Sequence, residues 1–140
     1  GTHLWLGGAD AYRYTSSVTD VHQVSRGERV GYWQRAVPDP RGGQVVVVDG
    51  GTSHWVAMSA PTPGASVRQQ LTAAAGGLLN ASRLALSPFS IGGRKRFFVE
   101  PPHMQASLVW VPGGVNVTVG TEIDVTMRAT TATPDAIVLE

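Results

Sequence analysis

The chain has no cysteine and only one lysine, Lys95, among its 140 residues. The first absence rules out a disulfide framework and any thiolate metal site. Charge is also scarce, with 15% charged residues, a formal net charge of +1 and no basic run longer than Arg94-Lys95-Arg96. Nucleic acid and acidic membrane surfaces are therefore not expected partners, because both are met with clustered cations. No apolar run approaches the roughly 20 residues that a bilayer-spanning helix needs, so the expected setting is soluble and cytoplasmic. The histidines His3, His22, His54 and His103 show neither the i, i+4 spacing of a helical metal site nor the i, i+2 spacing of a strand site. Ser53 and His54 are neighbours, but no Gly-x-Ser-x-Gly elbow is present, and adjacency in sequence does not make a hydrolase triad.

What the chain does have is 42% hydrophobic residues in short runs punctuated by 17 glycines and 9 prolines. A length of 140 residues suffices for one domain with a core, and residues 1–140 are read as a single β-domain. Its start, with Leu4-Trp5-Leu6 and no capping or turn chemistry before them, reads as a cut from a longer chain. Residues 12–24 are dense in Ser, Thr, Val and Tyr and predict a long strand. Val18 and Val24 share one face while Val21 falls on the other, which asks for a β-bulge or for cover on both faces.

Residues 30–36 predict a second strand, closed by Pro38-Asp39-Pro40, and the four valines at 45–48 a strand covered on both faces. A short strand is expected over 54–59. Ser66-Val67-Arg68-Gln69 has the capping-box form and opens the single expected helix, with Val67, Leu71, Ala74, Ala75 and Leu78 on one face. Residues 83–86 and 89–91 lead into Gly92-Gly93 and residues 95–100 leave it, as a hairpin. Residues 105–111 form a strand with Ala106, Leu108 and Trp110 on one face and Ser107, Val109 and Val111 on the other, and 115–119, 122–127 and 136–139 add short strands. Many short strands with one short helix predict an all-β, closed or nearly closed β-barrel. The expected core is Val45, Val47, Leu86, Phe98, Leu108, Trp110 and Ile123, with the helix packed on the barrel.

One stretch carries candidate chemistry. In Arg26-Gly27-Glu28-Arg29-Val30-Gly31-Tyr32-Trp33 a polar turn feeds into a phenol beside a glycine, which leaves room next to Tyr32. The ordinary alternative is a tyrosine packed at a strand end. The order of the following pieces, namely 45–48, Gly92-Gly93-Arg94-Lys95-Arg96, His103-Met104-Gln105 and Val119-Gly120-Thr121-Glu122-Ile123-Asp124-Val125, resembles the C-terminal β-domain of alanine racemases over most of the chain.

That resemblance implies a catalytic role for Tyr32 in moving the α-proton on one face of an amino-acid substrate, and a substrate-binding role for the main chain of Met104. It also implies pyridoxal phosphate in the full-length parent, held by a lysine of an N-terminal (β/α)8 barrel domain, and a homodimer in which the active site is completed by a second subunit. Two positions depart from the family pattern. Gln105 stands where the family has aspartate, and Gly51 where it has the tyrosine that binds the cofactor phosphate. Lys95 lies in a basic turn, so the chain alone is not expected to bind the cofactor or to be active. The alternative is a non-catalytic β-barrel that binds a partner, its motifs marking lost chemistry.

Overall fold

The computed structural model describes residues 11–32, 34–36, 39–57, 86–128 and 132–139. Six strands close into an antiparallel barrel. They are β1 (Tyr14–Val24), β4 (Gly43–Asp49), β5 (Leu86–Ile91), β6 (Arg94–Phe98), β7 (Ala106–Pro112) and β8 (Glu122–Val125), in the spatial order β1-β4-β7-β6-β5-β8 with β8 back on β1. A separate two-stranded ribbon is made by β2 (Arg29–Val30) and β3 (Arg35–Ala36). Closure removes the exposed strand edges that an open sheet of these valine-rich segments would present.

The long first strand carries the irregularity that its side-chain pattern asks for. Val18 pairs with Val48 and Asp20 with Val47, so Thr19 is an extra residue in β1. The valine strand β4 is central, pairing with β1 on one side and β7 on the other. Both of its faces are indeed used. Val46 and Val48 face the interior with Val109 and Val111 of β7, Val18, Ile91 and Ile123, around Phe89 and Phe98, whose rings meet edge to face at 6.4 Å. Val45 faces the opposite way, into a second cluster with Val24, Val99 and Trp110, which Val30 and Leu108 partly cover.

The strand period correctly separated the two faces of β7 but chose the wrong one as the interior. Of the expected core, Phe98 and Ile123 line the barrel, Val45 and Trp110 are buried in the outer cluster, Val47 and Leu108 are only half-buried, and Leu86 is 54% exposed. Alternation says which side chains share a face, and only barrel closure decides which face is enclosed.

Further expectations are corrected. Residues 30–36 are not one strand but the tip of the β2–β3 ribbon, because the chain reverses between Val30 and Arg35. The segment after Thr52–His54, a single 3₁₀ turn, continues as a turn through residue 57 rather than as a strand. Residues 115–119 form no strand: Val117 is buried and Val115 half-buried against the interior cluster, so their apolar character serves packing rather than pairing. Residues 136–139 likewise form no strand and expose Ile137, Val138 and Leu139. The expected helix after Ser66 lies outside the described residues, as do residues 83–85 of the expected hairpin. The Gly92-Gly93 turn is formed, between β5 and β6, with β6 ending at Phe98 rather than at residue 100.

Candidate functional site

Tyr32 owes its position to a reversal of the chain after β1. Residues 25–28 turn, with the Glu28 carboxylate accepting from the Ser25 N–H at 2.6 Å and the Glu28 N–H donating to the Ser25 carbonyl at 3.2 Å. The chain then lays Val30 on the outer cluster and turns again at Gly31, where φ is +73°, a conformation that a side chain disfavours. The Gln34 N–H closes this turn on the Gly31 carbonyl at 3.2 Å, and Arg29 Nη1 donates to the Gln34 carbonyl at 3.1 Å. Tyr32 therefore sits at a ribbon tip, 88% exposed, and not at the start of an extended strand.

The room beside Gly31 is not open space for an approaching molecule. A Cβ there would run into the carboxylate of Glu100, a residue that is only 3% exposed. Its Oε2 accepts the Tyr32 main-chain N–H at 2.9 Å, and its Oε1 lies 2.8 Å from His103 Nε2. Sequence reading passed over Glu100. The available signal is a lone carboxylate closing the apolar run Phe97-Phe98-Val99 just before Pro101-Pro102.

Met104 lies one residue beyond His103 and is 73% exposed. Its carbonyl accepts the Ser53 N–H at 2.9 Å and the Ser53 hydroxyl at 2.5 Å, and the His103 carbonyl accepts the Thr52 N–H at 2.9 Å. The segments 51–54 and 103–104 are thus joined main chain to main chain, and the Gly50 N–H adds a bond to the Gln105 carbonyl at 2.8 Å. Among the described residues no acceptor takes the Met104 N–H. Gly51 is buried inside this joint, where a Cβ would overlap the His103 carbonyl oxygen and approach the Met104 carbonyl carbon at 2.6 Å. No larger side chain fits there as the two segments stand. Gly51→Ala is accordingly expected to cost about 1 to 3 kcal/mol, the usual range for overpacking, in a denaturant titration. An unchanged midpoint would show that the joint yields freely.

The Ser53, His54 and Asp135 side chains do come together, but with roles that do not suit a hydrolase. The Gly51 N–H donates to His54 Nδ1 at 3.2 Å, so a neutral ring carries its proton on Nε2, which faces Asp135 Oδ2 at 3.1 Å. Ser53 Oγ lies 3.2 Å from His54 Nδ1 while its proton is committed to the Met104 carbonyl. The histidine ties the loop to residue 135 and is not placed to draw a proton from Ser53.

Beneath the ribbon runs a groove of about 630 Å³ with Phe97, Val99 and Trp110 as its apolar floor and Arg35 and Lys95 among its lining cations. At its far wall the Asp39 carboxyl is held below its ordinary value, chiefly by the Arg41 N–H and then by the Arg41 guanidinium. Arg96 is pulled down by burial and by neighbouring Arg94. Among the described residues no group of His, Asp and Glu could hold a metal ion, and no helix is long and apolar enough to cross a membrane.

No protein-family model and no curated protein matches the chain. Solved structures do match it over most of its length. The fold is shared with alanine racemases. The cycloserine complex of the alanine racemase of Clostridium difficile 630 superimposes with a TM-score of 0.50 at 14% identity, over 86% of this chain and 25% of that one. The biosynthetic alanine racemase of Pseudomonas aeruginosa gives 0.50 at 17% identity, over 80% of this chain and 25% of that one. This chain therefore spans about a quarter of the length of the alanine racemases it matches, consistent with the C-terminal β-domain of that fold family. At these identities the likeness is one of fold.

The cofactor that such a fold implies does not fit the described residues at two positions, Lys95 and Gly51. Lys95 is exposed on β6, paired across the hairpin with Ser90, and although it lines the groove beneath the ribbon, its exposure leaves a Schiff base there unshielded from water. Gly51, at the phosphate-binding position of the family pattern, is packed against the main chain of 103–104 and offers no hydroxyl.

Proposed function

We propose that this chain is the C-terminal β-domain of an alanine-racemase-like, pyridoxal-phosphate-dependent amino-acid racemase, and that Tyr32 is the group it contributes to proton transfer. The observation that carries this reading is the exposed Tyr32 at the ribbon tip of a barrel with the alanine racemase fold. The active site is completed by a (β/α)8 barrel domain in a homodimer, and the substrate is a small amino acid. Inverting an α-carbon requires one group to take the proton on one face and another to return it on the opposite face, and Tyr32 serves one of the two.

A free phenol, with an ordinary pKa near 10, is a poor base at neutral pH and needs a cationic or hydrogen-bonding neighbour. Arg29 and Arg35 direct their guanidinium groups to the carbonyls of Gln34 and Val99, so that neighbour comes from the completing domain. Met104 offers its main-chain N–H to the substrate carboxylate, since its carbonyl is occupied by Ser53.

The reading is tested by α-proton exchange. The full-length protein, incubated in deuterium oxide with alanine and a panel of other small amino acids, is expected to label the α-position and form the opposite enantiomer, whereas the 140-residue chain alone does neither. Absence of exchange by the full-length, cofactor-loaded protein sinks the reading. The second reading, a non-catalytic binding barrel, then takes its place; the tight packing at Gly51 and the uncharged Gln105 favour it.

A further inference from the structure

We infer that Glu100 is a positioning residue, a buried latch that fixes the Tyr32 ribbon to the segment carrying Met104. The latch itself follows from geometry, and its consequence for catalysis rests on the reading of Tyr32 given above. A carboxylate that is 3% exposed is costly to bury unless its oxygens find donors. Glu100 spends its two oxygens on two different segments: Oε2 accepts the Tyr32 N–H at 2.9 Å, and Oε1 meets His103 Nε2 at 2.8 Å.

The ribbon needs such a tie. Its strands are two residues each, and an isolated two-stranded ribbon is marginal even when longer. Val30 packs its base on the outer cluster, whereas Tyr32 at the tip is 88% exposed and is tied to the barrel by its main-chain bond to Glu100. Gly31 completes the fit, because a Cβ there would occupy the space of the Glu100 carboxylate. On the other side His103 is itself held, its N–H donating to the Ala106 carbonyl at 2.9 Å and its carbonyl accepting from Thr52 at 2.9 Å. Tyr32 and Met104 are in this way connected through one side chain and a main-chain joint, which fixes the main chain from which the Tyr32 phenol projects.

Amide hydrogen exchange resolved by NMR tests this in the chain itself. In the wild type the Tyr32 amide is protected. In Glu100→Ala its exchange is expected to rise about tenfold or more while the amides of Val46 and Val109 change less than about twofold, the pattern of local rather than global opening. Glu100→Gln keeps an acceptor for the Tyr32 N–H with nearly the same shape, so it retains most of the protection and serves if the alanine variant does not fold. An unprotected Tyr32 amide in the wild type overturns the latch, and so does equal Tyr32 exchange in wild type and Glu100→Ala. Loss of protection throughout the barrel in Glu100→Gln also overturns it, by making Glu100 a general core residue.

In the full-length protein Glu100→Ala lowers kcat with KM within about twofold, as expected when an interaction realised only in the transition state is lost. An active full-length protein whose kcat is unchanged by the substitution overturns the positioning role. A full-length protein with no racemisation at all removes the reading of Tyr32, and the exchange measurements still decide the latch.

Discussion

Tyr32→Phe in the full-length protein is expected to lower racemisation by about 10² to 10⁴-fold, the usual weight of a positioned acid or base. The substitution removes one oxygen and nothing else. Tyr32 is 88% exposed, and among the described residues no hydrogen bond uses its hydroxyl, so no buried partner is left unsatisfied. The main-chain N–H bond to Glu100 survives, since phenylalanine has the same backbone. The unfolding free energy of the 140-residue chain should consequently change by no more than a neutral surface substitution does, about 0.5 kcal/mol. The check is to measure α-proton exchange from both enantiomers, because a phenol serving one face slows exchange in one direction more directly than in the other. Wild-type rates in both directions for Tyr32→Phe would remove the tyrosine from the reaction.

Phe89→Ala is expected to destabilise the chain by about 3 to 5 kcal/mol. Phe89 is fully buried at the centre of the barrel, its ring edge to face with Phe98 at 6.4 Å. A closed sheet cannot collapse onto the cavity without breaking strand pairing, so relaxation is limited. Leu108→Ala is the contrasting case. Leu108 is half-buried on the outside of β7, where among the described residues it packs against the small outer cluster, and about 1 to 2 kcal/mol is expected from the apolar area it gives up. Urea titrations of the two variants side by side test the assignment of faces. A larger loss for Leu108→Ala than for Phe89→Ala would mean that the interior lies on the other face of β7.

Arg13 and Asp124 form an ion pair at 2.9 Å between the start of β1 and β8. Both side chains are well exposed, and such pairs contribute little to stability. Barrel closure rests instead on the β1–β8 ladder, from Tyr14 opposite Val125 to Ser17 opposite Glu122, and on Ile123 packed inside.

By itself the sequence determined the local and periodic features of this protein. Alternation in residues 105–111, the valine run at 45–48, the crowded β1 with its bulge and the Gly92-Gly93 turn are all consequences of neighbours a few residues apart, and each appears in the folded chain. Short strands between such turns already implied a barrel. The motif order from Tyr32 to Met104 pointed to the fold shared with alanine racemases.

Tertiary structure alone decided the rest. Which face of β7 is enclosed depends on the curvature of all six strands together, which no single strand encodes. Gly31 looked like free space beside a phenol, and Gly51 like a lost tyrosine. Each is instead the site where another segment comes too close for a Cβ: Glu100 against the first, the 103–104 main chain against the second. The bond from Tyr32 to Glu100 spans 68 positions, and a contact at that separation leaves no periodic trace in the chain. It exists because barrel closure brings the end of β6 beneath the ribbon tip, where a buried carboxylate had to find a donor.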